Sequence, residues 1–330
     1  MNIANIHFIK LALLFTFSFV LFDGTMARQA SVNIVMPVTE NVMDDPYRSE
    51  FFPVESAPKI SVKTINGNVD VYRNSAINGV QVDLYVERSF SLWSGTRNLD
   101  NYRIIIQKRG NHIIASVEDR SRGGSARRSG DIQFHFVVQV PADASTDLRT
   151  INGNIELDGV KGTHFLQNQN GEIFVNNSGG EIRVLSATGS LKLNSLQGSI
   201  FAKTVTGEIN IADNEGEVRV RSTSGSISVE RMNGNLAAAT TSGNIVSDFT
   251  DVTTGIYLET VSGNVNLTIP ADNGYDIKGK ALQFDISGIQ QASITRQSRG
   301  MNERNIVLRD GDIPVQMSTV SGTIRVLEKH

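Results

Sequence analysis

A glycine recurs at every ninth residue across the middle of this chain. The unbroken series has eleven members, and glycine makes up 29 of the 330 residues, so chance does not account for the spacing. A fixed period of this kind indicates an internal repeat and constrains the fold more than any other feature. The series is Gly153, Gly162, Gly171, Gly180, Gly189, Gly198, Gly207, Gly216, Gly225, Gly234 and Gly243.

The segments between these glycines read as β-strands. Polar and apolar residues alternate after each glycine, as in GEIFV, GEIRV, GSLKL and GEINI. This two-residue period is typical of a strand with one buried face. We therefore predict that the second and fourth residues after each glycine point inward. The predicted core includes Ile173, Val175, Ile182, Val184, Leu191, Leu193, Ile209 and Ile211.

Two kinds of turn alternate along the series, so the repeating unit has 18 residues, two strands and two corners. One turn is irregular, and the other follows a four-residue pattern, as in TING, TVTG and STSG. Its first residue is Thr, Ser or Asn, its second is variable, its third is Asn, Thr or Ser, and its fourth is glycine. Stacked units pair each strand in parallel with its copy in the next coil, which is a β-solenoid. Glycine takes positive φ angles at little cost. We expect such angles at the corner glycines Gly153, Gly171, Gly189, Gly207, Gly225 and Gly243.

The ends of the chain are less regular, which predicts five segments. Further copies of the turn end at Gly67, Gly263 and Gly322, and solenoids need atypical ends to cover their last strands. The fold class is therefore all-β, a single-stranded β-solenoid with irregular capping ends. The predicted segments are a signal peptide at 1–27, an extended lead-in at 28–59, an N-terminal β region and cap at 60–140 with a flexible loop at 119–130, regular repeats at 141–269, and C-terminal coils and cap at 270–330.

The first residues predict an exported protein. Lys10 precedes an apolar run, Leu11–Phe22, and small residues follow it, which is the layout of a secretory signal cut after Ala27. This run of twelve residues is shorter than the ~20 that span a bilayer, although an uncleaved anchor stays the alternative. We expect a periplasmic, cell-surface or extracellular location with no transmembrane segment after signal removal. The chain has no cysteine, and its net charge of −3 argues against nucleic acid as a partner.

The repeats resemble a known family. The stretch VQVPADASTDLRTINGNIELDGVKG, the serial T-x-S/T-G-x-I units, TVSGNVNLTIPADNGYDI and the closing TVSGTIRVLEKH are similar to the bacterial putative-adhesin family of β-strand-repeat proteins, a domain of unknown function. The resemblance covers about residues 55–330. It implies an exported, adhesin-like β-solenoid, and it implies no catalytic residues.

The polar turn residues form two predicted ladders. One is Thr150, Asn168, Ser186, Thr204, Ser222 and Thr240, and the other is Asn152, Asn170, Thr188, Thr206, Ser224 and Ser242. The favoured interpretation is structural, since stacked amides and hydroxyls bond to each other and to corner backbone. The alternative is a flat Thr-x-Thr surface that orders water, as in ice-binding solenoids.

No cofactor, metal or catalytic site is predicted. Calcium-binding nonapeptide repeats place an aspartate in every copy, whereas Asp158, Asp213 and Asp248 are scattered here. No HExxH motif, serine elbow or phosphate-binding glycine loop occurs in the sequence.

One outward column is the candidate binding stripe. The third residue after four successive irregular-turn glycines is Phe165, Arg183, Phe201 and Arg219. Neighbours in this column should lie about 4.8 Å apart. The structural interpretation is that guanidinium groups stack on the rings. The functional interpretation is a contact surface for a glycan or an envelope protein, because aromatic and arginine side chains are enriched in binding sites.

These features favour a non-enzymatic, adhesin-like binding or scaffold module in the bacterial cell envelope. The alternative is a β-helix enzyme that acts on envelope or extracellular polysaccharide. A clustered acidic groove would favour the enzyme, and an uninterrupted face would favour binding. The sequence leaves the ligand, the solenoid handedness and the oligomeric state open.

Overall fold

The chain folds as a β-solenoid in which 18-residue coils stack on one another. The computed structural model describes residues 45–88, 99–120 and 132–329, which all lie in the unit Met43–His330. Apart from 3-10 turns at Leu99–Asn101 and Gln291–Ser293, the regular elements of the described residues are strands. The predicted all-β solenoid is therefore confirmed.

The strands fall into three groups along the chain. The N-terminal strands are β1 (Arg48–Pro53), β2 (Lys59–Lys63), β3 (Val69–Arg73), β4 (Gly79–Arg88), β5 (Tyr102–Arg109), β6 (His112–Asp119) and β7 (Ile132–Val140). The central strands are β8 (Ser145–Arg149), β9 (Ile155–Asp158), β10 (Lys161–Asn170), β11 (Ile173–Asn176), β12 (Gly179–Thr188), β13 (Leu191–Asn194), β14 (Gln197–Thr206), β15 (Ile209–Ala212), β16 (Glu215–Ser224) and β17 (Ile227–Ser242). The C-terminal strands are β18 (Ile245–Asp251), β19 (Ile256–Ser262), β20 (Val265–Pro270), β21 (Tyr275–Lys280), β22 (Gln283–Gly288), β23 (Ile294–Arg299), β24 (Glu303–Leu308), β25 (Ile313–Ser321) and β26 (Thr323–Lys329).

Each regular coil contributes one long and one short strand. The ten-residue strands β10, β12, β14 and β16 pair in parallel at an offset of 18 residues and form what we call the long-strand sheet. The four-residue strands β11, β13 and β15 pair in the same way and form the short-strand sheet. Strand β17 belongs to both, because its first residues pair with β15 and its last ten with β16.

The core lies between these two sheets, and the residues that face it are the second and fourth after each glycine, as predicted. Side chains alternate between buried and outward along both strand types, as the pattern of strand β11 shows. All eight predicted core residues are buried, and Ile173 and Ile209 have no exposed surface. A one-residue slip would turn every one of these apolar side chains to solvent, so burial sets the register.

The corner glycines are required both by backbone angle and by space. At Gly207 φ is +143°, and an added Cβ would overlap the carbonyl oxygen of Gly189 in the preceding coil. The six predicted corner glycines all have positive φ, between 121° and 152°, as expected. Gly162 differs within the ninefold series, since its φ is not positive and its added Cβ would lie 2.6 Å from the Ala144 carbonyl oxygen. Glycine therefore marks the places where successive backbones meet most closely.

The irregular turn that follows each short strand has a backbone conformation that was not anticipated. In four successive copies its first residue adopts the left-handed conformation, with φ between 50° and 56°, although none of the four is glycine. Only the first member of this column, Gly159, avoids the steric cost that a side chain brings to that region. The four residues are Asn177, Ser195, Asp213 and Arg231.

Each end of the solenoid is covered by strands that lie outside the last coil, although they come between two coils in the sequence. The coil of β2 and β3 pairs with β8 and β9 on one side and with β6 and β7 on the other. At the opposite end, β25 and β26 pair with β19 and β20 on one side and with β21 and β22 on the other. Antiparallel pairs extend these caps, β1–β4–β7 and β5–β6 at one end and β21–β24–β23 at the other.

A two-residue insertion interrupts the 18-residue period in the C-terminal half. The offset is 18 where Asn233 pairs with Asp251 and 20 where Leu236 pairs with Ile256. The extra residues therefore lie in the loop 252–255. The Asn235 side-chain oxygen accepts hydrogen bonds from this loop, including one from the Thr254 amide at 2.7 Å.

Some predicted segments lie wholly or partly outside the described residues. The signal peptide at 1–27 lies outside them, and so does the loop at 119–130 apart from its first two residues. Of the lead-in at 28–59, residues 45–59 are described, and they include β1, which pairs with β4. None of the helical turns in the described part of the chain has the length and apolar character needed to cross a membrane.

Candidate functional site

The predicted stripe forms one continuous column on the outer surface of the long-strand sheet. Phe165 pairs with Arg183, Arg183 with Phe201, and Phe201 with Arg219, each on an adjacent strand. Both arginines are exposed and both rings are half-buried. Four strands thus present alternating rings and guanidinium groups at steps of about 4.8 Å.

Guanidinium groups cover the two rings. The Arg183 guanidinium carbon lies 4.9 Å from the centre of the Phe201 ring, and that of Arg149 lies 4.7 Å from the centre of the Phe165 ring. Each exposed pair of this type is worth about 0.5–1 kcal/mol. Stacking therefore shields part of each outward ring from water and favours one position of the guanidinium group above it.

The column changes character beyond Arg219. Its guanidinium lies 2.6 Å from the Glu217 carboxylate, and both side chains are largely exposed, so the pair adds little stability. The next residues in the column are Ala237, Tyr257 and Gln316. The stripe thus gives way to a small side chain followed by a projecting ring.

This change of side-chain size creates a groove of about 690 Å³. Its floor is formed by the methyl groups of Ala237 and Ala239 on β17. Strand β16 supplies one wall and strand β19 the other. We call it the Arg–Tyr groove and define it by Arg219, Arg221, Ala237, Ala239, Tyr257 and Glu259.

The Tyr257 wall is held by a hydrogen bond. The Tyr257 hydroxyl donates to Glu259 Oε2 at 2.6 Å, and this bond is the main cause that raises the pKa of Tyr257, followed by burial. The positive charge of Arg221 acts on the same pKa in the opposite direction. The tyrosine is 43% exposed, so its ring remains available to a ligand.

Arg221 is the free cation of the groove. Among the described residues it makes no ion pair or hydrogen bond, whereas its neighbour Arg219 is paired with Glu217. The Arg221 side chain is exposed. Across the sheet, Ala239 on β17 is the residue that lies between Arg221 and Glu259. The groove therefore has a cationic wall at Arg221. The opposite wall carries the Tyr257 ring and the Glu259 carboxylate, which accepts a hydrogen bond from the Tyr257 hydroxyl.

The first turn ladder is structural. Thr240 is 4% exposed, and its hydroxyl donates to the Gly225 carbonyl oxygen of the preceding coil at 3.0 Å. Thr204 and Ser222 make the same bond to Gly189 and Gly207. The full predicted column is buried and comprises Thr150, Asn168, Ser186, Thr204, Ser222 and Thr240.

The second ladder lies on the surface. The Asn170 amide donates to Asn152 Oδ1 at 2.8 Å, and the later members are exposed. Those members are Thr188, Thr206, Ser224 and Ser242. Because the first threonine of each Thr-x-Thr turn points inward, the two columns do not form the flat hydroxyl surface of the ice-binding alternative.

Within the described residues, no group of three or more histidine, aspartate and glutamate side chains could hold a metal ion. His164 lies in the core beside Thr146, and His112 on β6 contacts Ser61 on the paired strand β2. His135 accepts a hydrogen bond from the Asn68 amide. These three histidines thus have separate local partners.

Sequence reasoning missed the groove. Its residues Arg221, Ala239, Tyr257 and Glu259 were not among the candidates. The signal that would have found them is the same column extended past Arg219. To extend the column in this way, the residue that pairs with Ala237 must be sought 20 positions later, at Tyr257, and not 18, because the two-residue insertion lies between them.

Comparison with known proteins supports the predicted family resemblance over part of the chain. Residues 215–327 match the family model described as Toastrack DUF4097. The resemblance to a domain of unknown function is thereby confirmed, over a shorter stretch than the predicted 55–330. A comparison with curated proteins found no match.

Two solved structures are similar at low identity. A putative cell adhesion protein from Clostridium sporogenes is 12% identical, with a TM-score of 0.23, and the match covers 86% of this chain and 100% of that one. A putative adhesin from Bacteroides fragilis is 13% identical, with a TM-score of 0.30, and the match covers 67% of this chain and 96% of that one. At these TM-scores neither likeness supports a functional conclusion.

Proposed function

We propose that this chain is an exported, non-enzymatic β-solenoid that acts as an adhesin-like binding or scaffold module in the bacterial cell envelope. The observation that carries this proposal is the register-locked outward column of Phe165, Arg183, Phe201 and Arg219. Export rests on the apolar run Leu11–Phe22 and the small residues after it.

The mechanism is presentation of side chains on a stiff support. The strands beneath the column are paired on both sides, so their backbone groups are occupied and a partner can be recognised only through side chains. Parallel pairing holds the side chains at constant spacing along the stack. The guanidinium groups of Arg183 and Arg219 and the ring edges of the phenylalanines would contact a glycan or an envelope protein.

The carboxylates of this face favour binding over hydrolysis. Glycoside hydrolases use a pair of carboxyl groups on either side of the scissile bond. Of the residues that line the Arg–Tyr groove, Glu259 is the carboxylate, and it accepts the hydroxyl of Tyr257. The acidic cluster that would favour the enzyme alternative is thus lacking in the described part of this groove.

The test is the double variant Phe165→Ser with Phe201→Ser, measured for thermal stability and for binding on a glycan array and to envelope extract. The matched control is Phe174→Ser, because Phe174 is a half-buried outward ring covered by Lys192 at 4.9 Å on the other sheet. We expect the double variant to lose binding while both proteins keep similar melting temperatures. Unchanged binding in the double variant would refute the role of the stripe.

Export and the absence of catalysis are tested separately. N-terminal sequencing of the protein from its native host should begin close to Arg28, and an intact Met1 in the membrane fraction would favour an anchor. Incubation with envelope polysaccharides should leave their chain length unchanged. Shortened products that disappear with Glu259→Gln would support the enzyme alternative.

A further inference from the structure

We propose that the Arg–Tyr groove binds an oligosaccharide that carries carboxylate groups, with a sugar ring against Ala237 and Ala239 and its carboxylate on Arg221. The inference rests on the proposed binding function and names a second site for it, which adjoins the stripe at Phe201 and Arg219. It assigns roles to four residues outside the stripe, namely Arg221, Ala239, Tyr257 and Glu259.

The shape of the groove fits a flat ring. Adjacent strands lie about 4.8 Å apart, so the strands that bear the two walls are roughly 9.6 Å apart. Between them, strand β17 presents only the methyl groups of Ala237 and Ala239. A ring that enters this space contacts methyl groups below and the Tyr257 ring at one side, and ligand sites commonly combine apolar surface with a few polar groups.

The charges of the groove favour an anion at one wall. Arg221 makes no ion pair or hydrogen bond with the described residues, and a guanidinium binds a carboxylate through two parallel hydrogen bonds. Glu259 carries negative charge on the opposite wall, so it repels a ligand carboxylate and can accept a sugar hydroxyl. A bound acidic sugar is therefore oriented, with its carboxylate toward β16 and its hydroxyl groups toward β19.

The position of the groove favours a saccharide over a peptide. An extended peptide binds a sheet by adding a strand at a free edge, where backbone groups are unpaired. The groove lies on the face of β17, which pairs with β16 on one side and β19 on the other. Recognition here depends on a ring and a guanidinium, which suit the apolar face and the carboxylate of an acidic sugar.

The experiment measures binding of three acidic probes to the mature chain by calorimetry. The probes are oligogalacturonate, a hyaluronan oligomer and an alginate oligomer, each of about six sugars, together with their carboxyl-reduced forms. We expect at least one acidic probe to bind with a millimolar or tighter Kd, at least tenfold more tightly than its reduced form. Failure of all three probes to bind, or equal binding of both forms, would overturn the proposal.

Two variants locate the bound probe. Ala239→Leu fills the floor of the groove and should weaken binding at least tenfold, and Arg221→Gln should remove the preference for the acidic form. The matched control is Ser228→Leu, which adds the same side chain to the outward surface of β17 in the short-strand sheet and should leave binding unchanged. Equal binding by Ala239→Leu and the wild-type protein, at equal melting temperatures, would place the probe elsewhere and refute the groove.

The same variants separate this inference from the proposed function. Loss of binding in the stripe variant, with full binding in Ala239→Leu, would leave the proposed function standing and overturn the groove. Cleavage of a bound acidic probe would refute the non-enzymatic function, while the groove would stand as the place where the saccharide binds.

Discussion

His164 makes the stability of the solenoid depend on pH. It occupies an inward position in a column whose next members are Ile182 and Ile200. The side chain is 1% exposed, and its Nδ1 lies 3.0 Å from the Thr146 hydroxyl oxygen. Burial is the main cause that lowers the pKa of His164 from 6.5 to about 4.

The direction of the effect follows from proton binding in the two states. The unfolded chain binds a proton at His164 near pH 6.5, whereas the folded chain binds it only near pH 4. Between these values the unfolded state holds more protons, so the free energy of unfolding falls as the pH falls. At about 1.36 kcal/mol for each pKa unit, the complete loss amounts to about 3 kcal/mol.

The perturbation is the double variant His164→Ile with Thr146→Val. Isoleucine already fills the same position in the next two coils, and valine removes the hydroxyl that would lose its partner. The assay is urea unfolding followed by circular dichroism at pH 8 and pH 4.5. On acidification the wild-type protein should lose about 2.5 kcal/mol more than the variant.

Other titrating groups cancel in this comparison. Burial also lowers the pKa of His112 and His135, but both histidines are present in the two proteins and contribute equally to each. Thr146→Val alone controls for the lost hydroxyl. Equal acid sensitivity of the double variant and the wild-type protein would refute the reasoning, and so would an imidazole NMR titration of His164 near pH 6.5.

Three further substitutions, together with one control, test the corners of the coils by their effect on the free energy of unfolding. Gly207→Ala should cost at least about 3 kcal/mol, because it combines backbone strain with overlap on a neighbouring backbone. The control Gly110→Ala should cost about 1 kcal/mol, since the φ of Gly110 is +59° but no atom lies within 4 Å of an added Cβ. Similar costs for the two substitutions would refute the role of close backbone approach. Ser195→Gly should stabilise the protein by about 0.5–1 kcal/mol by relieving a left-handed φ of 55°, as Gly159 does in the same column, and a loss of stability would contradict this. Thr240→Val should cost about 1–3 kcal/mol because the part-buried Gly225 carbonyl loses its hydrogen-bond donor, and a change below 0.5 kcal/mol would show that this carbonyl finds another donor.

The repeated part of the fold could be predicted because its interactions are local and periodic. Each coil contacts only its two neighbours, so an 18-residue period determines which residues face each other across the sheet. The core phase, the corner glycines and the stripe at Phe165, Arg183, Phe201 and Arg219 all follow from that period and from strand alternation.

The left-handed corners at Ser195 and Arg231 could not be predicted in the same way. Their φ angles are imposed by the path of the chain between two sheets, and serine and arginine have no local preference for that region. The neighbouring coils hold these residues in place, so tertiary contacts override the local cost.

The sequence by itself determined the coil, its inward phase and the position of its glycines, because these depend on spacing alone. Only the tertiary structure decided which strands lie at the ends, since β21 and β22 stack outside the final coil of the sequence, β25 and β26. It also decided where the groove lies. Ala239 and Tyr257 become neighbours of Arg221 through strand pairing across a two-residue insertion, and no periodic rule states where an insertion is absorbed.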